Sequence, residues 1–407
     1  MQTENSILLK NATILDGSGG AARTGDILVR NGKIACLEAG DFTPSHTLDM
    51  QGCYVSPGWV DLHVHVFSGY GVFSVPATNI GAFTGVTTLV DAGSTGALNY
   101  PLFEEMFRAR TTERVVGYVN ISSAGILHGH SGKTGFVGDH FDSALHSEEL
   151  ALRLLSKFSD SIVGWKIRLT SKLANNEPTK ERRGFEALRK VKEISGLPVM
   201  IHHAVSCIPV EEVLDALSEG DVYTHCFHGY GGTPFEDETG KPVPAALAAR
   251  ERGVLFDVGH GMGGFTWRQA EKACQEFGFW PDTISSDLHH FNVFSPVCNL
   301  ANMLSKFLLM GAPLEQVIAM ATGNTAPALR NVSISPSLNE GAPANLTVFQ
   351  VQEGNFEFID TVGQIKTNTQ RIVPLAVLSG ETFTPCYGFH MRNTDGDALA
   401  QSWQSIV

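Results

Sequence analysis

Two textures of apolar and polar positions divide this 407-residue chain. Toward the start, short alternating runs (Ile7–Leu9, Ala12–Leu15, Asp26–Arg30 and Lys33–Leu37) are separated by Asp16-Gly17 and Asn31-Gly32. Asn-Gly between two such runs is a strong hairpin signal, because both turn positions take positive φ. The same texture returns in Asn345–Phe349 and Arg371–Leu378. The pattern predicts that residues 1–54 and 335–407 meet in one small composite β-sandwich domain, with residues 55–334 folding between them.

In that middle segment, strand-like runs alternate with helical periodicity, the mark of repeated βαβ units and a parallel sheet. Strands are predicted at 59–66, 86–91, 114–121, 162–168, 198–203, 222–227, 253–258 and 283–287, and helices at 148–158, 185–194, 210–217 and 267–277. Eight such units make a TIM-like (β/α)8 barrel the leading reading, with an open doubly wound sheet as the alternative. The absence of a glycine-rich phosphate loop after the first strand counts against the open sheet.

Side chains on a strand alternate between its faces. Within 59–66 this sends Val60, Leu62, Val64 and Val66 outward onto helices, and Trp59, Asp61, His63 and His65 inward. Within 162–168 it turns Val163, Trp165 and Ile167 outward, and Gly164, Lys166 and Arg168 inward. His202 shares the inner face with Met200, leaving His203 outside, and Tyr223 is placed on one face with His225. Asp287 follows Thr283 and Ser285 inward, with Ile284 and Leu288 outside.

Composition narrows the functional classes. A formal net charge of −13 argues against nucleic acid or an anionic membrane surface as partner. No apolar run is long enough to span a bilayer, and Met1–Asn5 shows neither the basic segment nor the apolar stretch of a signal peptide. Seven scattered cysteines without Cys-x-x-Cys spacing read as buried, reduced thiols in a cytoplasmic protein.

Several predicted strands end on side chains suited to metal chemistry: His63-Val64-His65, Lys166, His202, His225 and Asp287. An α/β barrel keeps its chemistry at that end. Taken singly these are ordinary. His-x-His is common, and an isolated inward histidine is more often a hydrogen-bonded core residue than a ligand. Imidazoles on three strands plus a carboxylate on a fourth, all at strand ends, suit zinc or another first-row divalent ion. Two ions need more negative charge than one aspartate supplies. A carbamate formed from Lys166 and carbon dioxide (N6-carboxylysine) would supply it and would remove the cost of burying an ammonium.

The stretches that carry these donors also resemble a known family. Gly58–His65 resembles the opening signature of the amidohydrolase superfamily, and Gly85–Gly93, Val163–Arg168, Thr224–Gly229 and Ile284–His289 are similar to its later motifs, in the dihydroorotase-like amidohydrolase/deacetylase branch. The likeness covers nearly the whole chain. It implies that His63 and His65 hold the more buried metal, carboxylated Lys166 bridges, and His202 and His225 hold the outer one. It also implies that Asp287 contacts the buried metal and carries the proton. The His202-His203 doublet departs from the family's usual single histidine.

The resulting expectation is a hydrolase with two divalent metals, zinc foremost, attacking through a metal-bridging hydroxide. Its substrate would be an amide or ester of a small acylated carboxylic acid, such as an N-acyl amino acid or O-acetyl hydroxy acid. Ring opening by a cyclic amidase is the rival enzyme. A catalytically silent scaffold is the rival of another class, and retention of all six donors speaks against it. A homo-oligomer is a candidate assembly, through the edge of the terminal β-domain or the Met303–Met310 helix. Arg168 is a candidate for the substrate carboxylate, its alternative being a structural ion pair with a loop acid. His228, Tyr230, His260 and His289 are candidate pocket walls, and His128 and His130 candidates for a loop over the site.

Overall fold

The structure is a computed structural model and describes residues 6–36, 43–71, 73–126, 138–334 and 336–390. His128 and His130 lie outside the described residues. The first strands are β1 (Ser6–Ile14), β2 (Arg23–Arg30), β3 (Lys33–Cys36), β4 (His46–Asp49) and β5 (Tyr54–Pro57). Next come β6 (Trp59–Val64), β7 (Val86–Gly96), β8 (Arg114–Asn120), β9 (Ile162–Leu169), β10 (Val199–His203), β11 (Val222–Thr224) and β12 (Leu255–Phe256). Three more, β13 (Asn345–Ile359), β14 (Ile365–Ser379) and β15 (Thr382–Pro385), complete the set.

The two ends do share one sheet, ordered β15-β14-β13-β5-β1-β2-β3, with β4 also beside β1. Asn31 and Gly32 take φ of 52° and 72°, the left-handed pair that closes the β2–β3 hairpin. The two runs predicted at 7–9 and 12–15 are a single strand. Left-handed Asn11 (φ 59°) inserts a bulge that shifts the β1–β2 register between Leu9 and Ala12, so the alternation restarts without a break in the strand. Leu9, Ile27, Val29, Val55, Leu346 and Leu375 form this sheet's own buried core.

β6 to β12 form a parallel sheet in chain order. The sheet curls. Residues 283–288 lie between its two outer strands, joined to one side by the parallel bridge Asp257–Thr283 and to the other by Val64–Leu288. That segment was predicted as a full strand. It makes only single bridges because Asp287 turns left-handed (φ 51°). β11 likewise stops at Thr224, short of the predicted 227, where His225 takes φ 62°. Helices Glu148–Phe158 and Pro178–Ser195 pack against each other beside this sheet. Ser147 caps the first of them through Leu150 N–H, and the second ends at left-handed Gly196.

Two apolar clusters distinguish the faces of the curled sheet. Val60, Leu62, Val90, Val116, Tyr118, Val163, Met200 and Val222 pack together with Ala328, Leu329 and Val332, one or two from each of β6 to β11. This is the inward face. Val64, Trp165, Ile167, Ile201 and Tyr223 instead join the larger core with the helices. Five sequence assignments are thereby corrected. The register shift between Asp61 and Val64 puts an extra residue in β6 and resets its alternation, so Val60 and Leu62 face in and Trp59 faces out. Val163 is the extra residue where β9 slips against β8, and it too faces in. Tyr223 faces out, bonding His203 Nδ1 at 3.2 Å, and left-handed His225 escapes its parity.

Trp59 joins the two sheets. Its indole lies 5.4 Å from Phe349 of β13, its Nε1 donates to Ser56 Oγ at 3.1 Å, and it is wholly buried. Among the described residues no helix is long and apolar enough to cross a membrane. Trp59→Ala is expected to cost about 3–5 kcal/mol, the usual range for a buried tryptophan. Urea unfolding reads this directly, and an unchanged midpoint would show that the contact between the sheets is not stabilising.

Candidate metal centre

The site forms where the curled sheet's C-terminal strand ends meet, and its hydrogen bonds fix which nitrogen each imidazole offers. Thr224 Oγ1 donates to Asp257 Oδ2 at 2.7 Å and therefore accepts from His63 Nδ1 at 2.9 Å. His63 is thus protonated on Nδ1, and its Nε2 lone pair is free for a cation. Asp257 is itself anchored by Thr283 and Ser285 hydroxyls at 2.8 and 2.6 Å. His225 Nδ1 meets the Gly259 carbonyl, which can only accept, so its Nε2 is likewise unprotonated. His65 Nδ1 is 2.8 Å from Ser94 Oγ, and Ser94 N–H is held by Asp91.

Asp287 Oδ1 lies 3.4 Å from His63 Nε2 and 3.1 Å from His65 Nε2. Two ligand atoms each about 2 Å from a tetrahedral zinc would stand roughly 3.3 Å apart. The donors of His63, His225 and Asp287 also fall within 4.8 Å of one another. His202, half-buried, sets its ring 4.4 Å from that of His225, and its Nε2 is 3.5 Å from Thr170 Oγ1. His203 is bound outside the site to Gly232 and Ile208 carbonyls, so the doublet resolves as its strand parity required.

Electrostatics favour a cation here. Burial, then the nearby charge of Lys166, holds the His63 imidazole well below its ordinary pKa, and burial lowers His225 to about 4. Burial would push the Asp287 carboxyl up, but hydrogen bonding to His65 and the charges of His65, His225 and His289 bring it down to about 2. Lys166 is 1% exposed, and its Nζ has no hydrogen-bond partner. Burial lowers this amine to about 7 despite the pull of Asp287 and Asp257. A buried amine with no acceptor is the atom in this site that most needs something further to bind it. Left-handed Gly93 makes room for it: a Cβ there would come 2.6 Å from Lys166 Cβ.

These donors line a cavity of about 500 Å³ with Phe73, Thr170, Val205, Tyr230 and Met262. The other sequence candidates divide. Arg168 lines the cavity, but its Nε and Nη2 donate to buried Asp139 at 2.7 and 2.5 Å, the ion pair with a loop acid that was its alternative reading. His228 and His289 line the cavity as well. His228 Nδ1 accepts from Tyr230 N–H, so its Nε2 donates to the His203 carbonyl. His260 does not line the cavity. It is fully buried, with Nε2 accepting from Lys306 at 2.7 Å and Nδ1 facing the Gly261 carbonyl. Sequence reasoning missed Thr224, Ser94 and Asp139. The first two are small hydroxyl residues whose value lies in which nitrogen they face, and Asp139 reaches Arg168 from a loop that no periodicity marks.

No family model matches the chain. It is 33% identical over 381 residues to a deacetylase of Agrobacterium fabrum (strain C58), covering 92% of this chain and 91% of that protein. Among solved structures, an adenine deaminase superposes with a TM-score of 0.84 at 27% identity, covering 94% of this chain and all of the other. A dihydroorotase superposes with a TM-score of 0.82 at 31% identity, covering 94% and 98%.

If Thr224 sets the His63 tautomer, Thr224→Val is expected to weaken zinc binding about 10- to 100-fold, the usual effect of removing a hydrogen-bond partner behind a ligand. Equilibrium dialysis against a zinc buffer measures it, and unaltered affinity would remove Thr224 from this role.

Proposed function

The chain belongs to the amidohydrolase superfamily, within its deacetylase-like membership, and on that footing we propose that it is a binuclear deacetylase of small acylated carboxylic acids. It is a hydrolase of carbon–nitrogen bonds. The observation that carries the finer reading is the convergence of unprotonated imidazole nitrogens and Asp287 beside a buried, partnerless Lys166. In this reading His63, His65 and Asp287 would hold one ion, His202 and His225 the other, and Lys166, carboxylated on Nζ, would supply the anion shared between them. Zinc fits the nitrogen and oxygen donors. The closed (β/α)8 form of the curled sheet, and the division at residues 1–54, 55–334 and 335–407, belong to the same proposal.

When bound, the metal pair supplies an acidified water and a Lewis acid for the scissile carbonyl. The protein's own groups do the rest. Asp287 presents Oδ1 to His63 and His65, and its carboxylate would take the water's proton and return it to the leaving nitrogen. The cavity, about 500 Å³, suits a ligand the size of an acyl amino acid. His228, locked as an Nε2–H tautomer, and His289 form its imidazole walls. Arg168 reaches the cavity with its charge already shared by Asp139, so it would steer a carboxylate rather than grip it with both prongs.

Metal analysis together with a screen of N-acetyl-L- and N-acetyl-D-amino acids, O-acetyl hydroxy acids and cyclic ureides tests the reaction. Turnover confined to the cyclic ureides would replace deacetylation by ring opening. Asp287→Asn is expected to keep most of the metal and lose kcat by at least about a hundredfold. Equal kcat would take the proton away from Asp287. Lys166→Ala is expected to lower metal content and to be partly restored by short carboxylic acids, and full occupancy in the mutant would rule out the carbamate bridge.

A further inference from the structure

Left-handed backbone is rarely given to side chains other than glycine, and its distribution in this chain is informative. Among the described residues, eight non-glycine positions have positive φ. Four are Asn11, Asn31, Asn175 and Asn176, a residue type that tolerates the conformation. Two more are His225 and Asp287, the metal-ligand candidates whose turned backbones aim them into the cavity. The remaining two are Val205 (φ 53°) and Cys298 (φ 65°). Valine is the costliest of these, because its branched Cβ meets the neighbouring carbonyl. Such strain persists where the surroundings enforce it, and it clusters at functional sites.

Val205 follows β10 two residues after His203 and lines the cavity, and its carbonyl accepts from Ser171 N–H at 3.1 Å. It is not held there by burial, for it is 54% exposed. Tyr230 and Met262, also cavity-lining, are each 53% exposed. Three large apolar side chains therefore stand in solvent around one mouth, and one of them does so on a backbone that asparagine or glycine would occupy with less strain. Neither packing nor turn geometry accounts for valine at this position.

We propose that Val205, with Tyr230 and Met262, is a specificity-determining grip on an apolar substituent of the substrate, so that the ligand class is small carboxylic acids bearing an aliphatic or aromatic side group. This rests on the deacetylase reading for the identity of the carboxylic acid, but not for the grip itself. The contact is made at the mouth, away from the reacting bond, so it acts on binding and leaves the chemical step alone.

Binding and turnover are measured separately. Dissociation constants of straight-chain carboxylates from acetate to hexanoate are obtained by titration calorimetry on the metal-loaded wild type and on Val205→Asn. The wild type is expected to gain about fourfold in affinity per methylene once the chain reaches the mouth. Val205→Asn is expected to lose most of that gain and to melt at an equal or higher temperature, since asparagine accepts the left-handed conformation. In Val205→Asn, kcat/KM for N-acetyl-leucine or N-acetyl-phenylalanine is expected to fall relative to that for N-acetylglycine, through KM rather than kcat. A flat affinity series in the wild type, or an unchanged series in Val205→Asn, overturns the grip. A steep series in the wild type that Val205→Asn flattens, in a protein that cleaves no acylated acid, keeps the grip and removes the deacetylase reading instead.

Discussion

Lone pairs converging on one buried spot repel each other and are starved of water, so an arrangement of this kind survives only if every ring is held from behind. Here the holding groups are neutral hydroxyls, a carbonyl and one deep carboxylate. Asp257 sits beneath the site, accepting from Thr224, Thr283 and Ser285, and Thr224 in turn fixes His63. Gly259 does the same for His225 through its carbonyl. The short β11, the single-bridge segment 283–288 and the glycines packed against Lys166 and His225 all serve that convergence. Regular strand geometry is given up where it would have aimed a donor elsewhere.

That surrender explains where the sequence could be read and where it could not. His202 over His203 followed from the parity of a regular strand, β10, and β10 is regular. The hairpin at Asn31-Gly32 followed from turn chemistry alone, and the shared sheet from matching textures at the two ends. Parity misplaced Trp59, Val60, Leu62 and Val163 because β6 and β9 carry register slips, which depend on neighbouring strands and leave no local mark. Tyr223 and His225 were given one face, and that inference breaks on a single left-handed residue between strand and loop.

Charge shows the same contrast between near and distant partners. Lys166 could be singled out as a buried lysine in an inward position, since only its own strand was needed. Arg168 looked equally available, yet Asp139 from a separate loop has claimed two of its donors. His260 looked like a wall of the site and is instead an acceptor for buried Lys306, which also donates to the Pro296 and Ile359 carbonyls. In each case the decisive atom comes from a part of the chain that sequence order keeps far away.

The pairing of β5 with β13 sets an order of events during synthesis. Trp59 N–H is bonded to Thr347 Oγ1 across 288 residues of chain. Until those later residues leave the ribosome, Tyr54–Pro57 is paired on its β1 side only and the Trp59 indole has no Phe349 to cover it. A bare strand rim is where nascent chains stick to one another. The early strands can pair among themselves, but that one edge stays open while the middle segment is made, and the last strands to emerge are the ones that cover it.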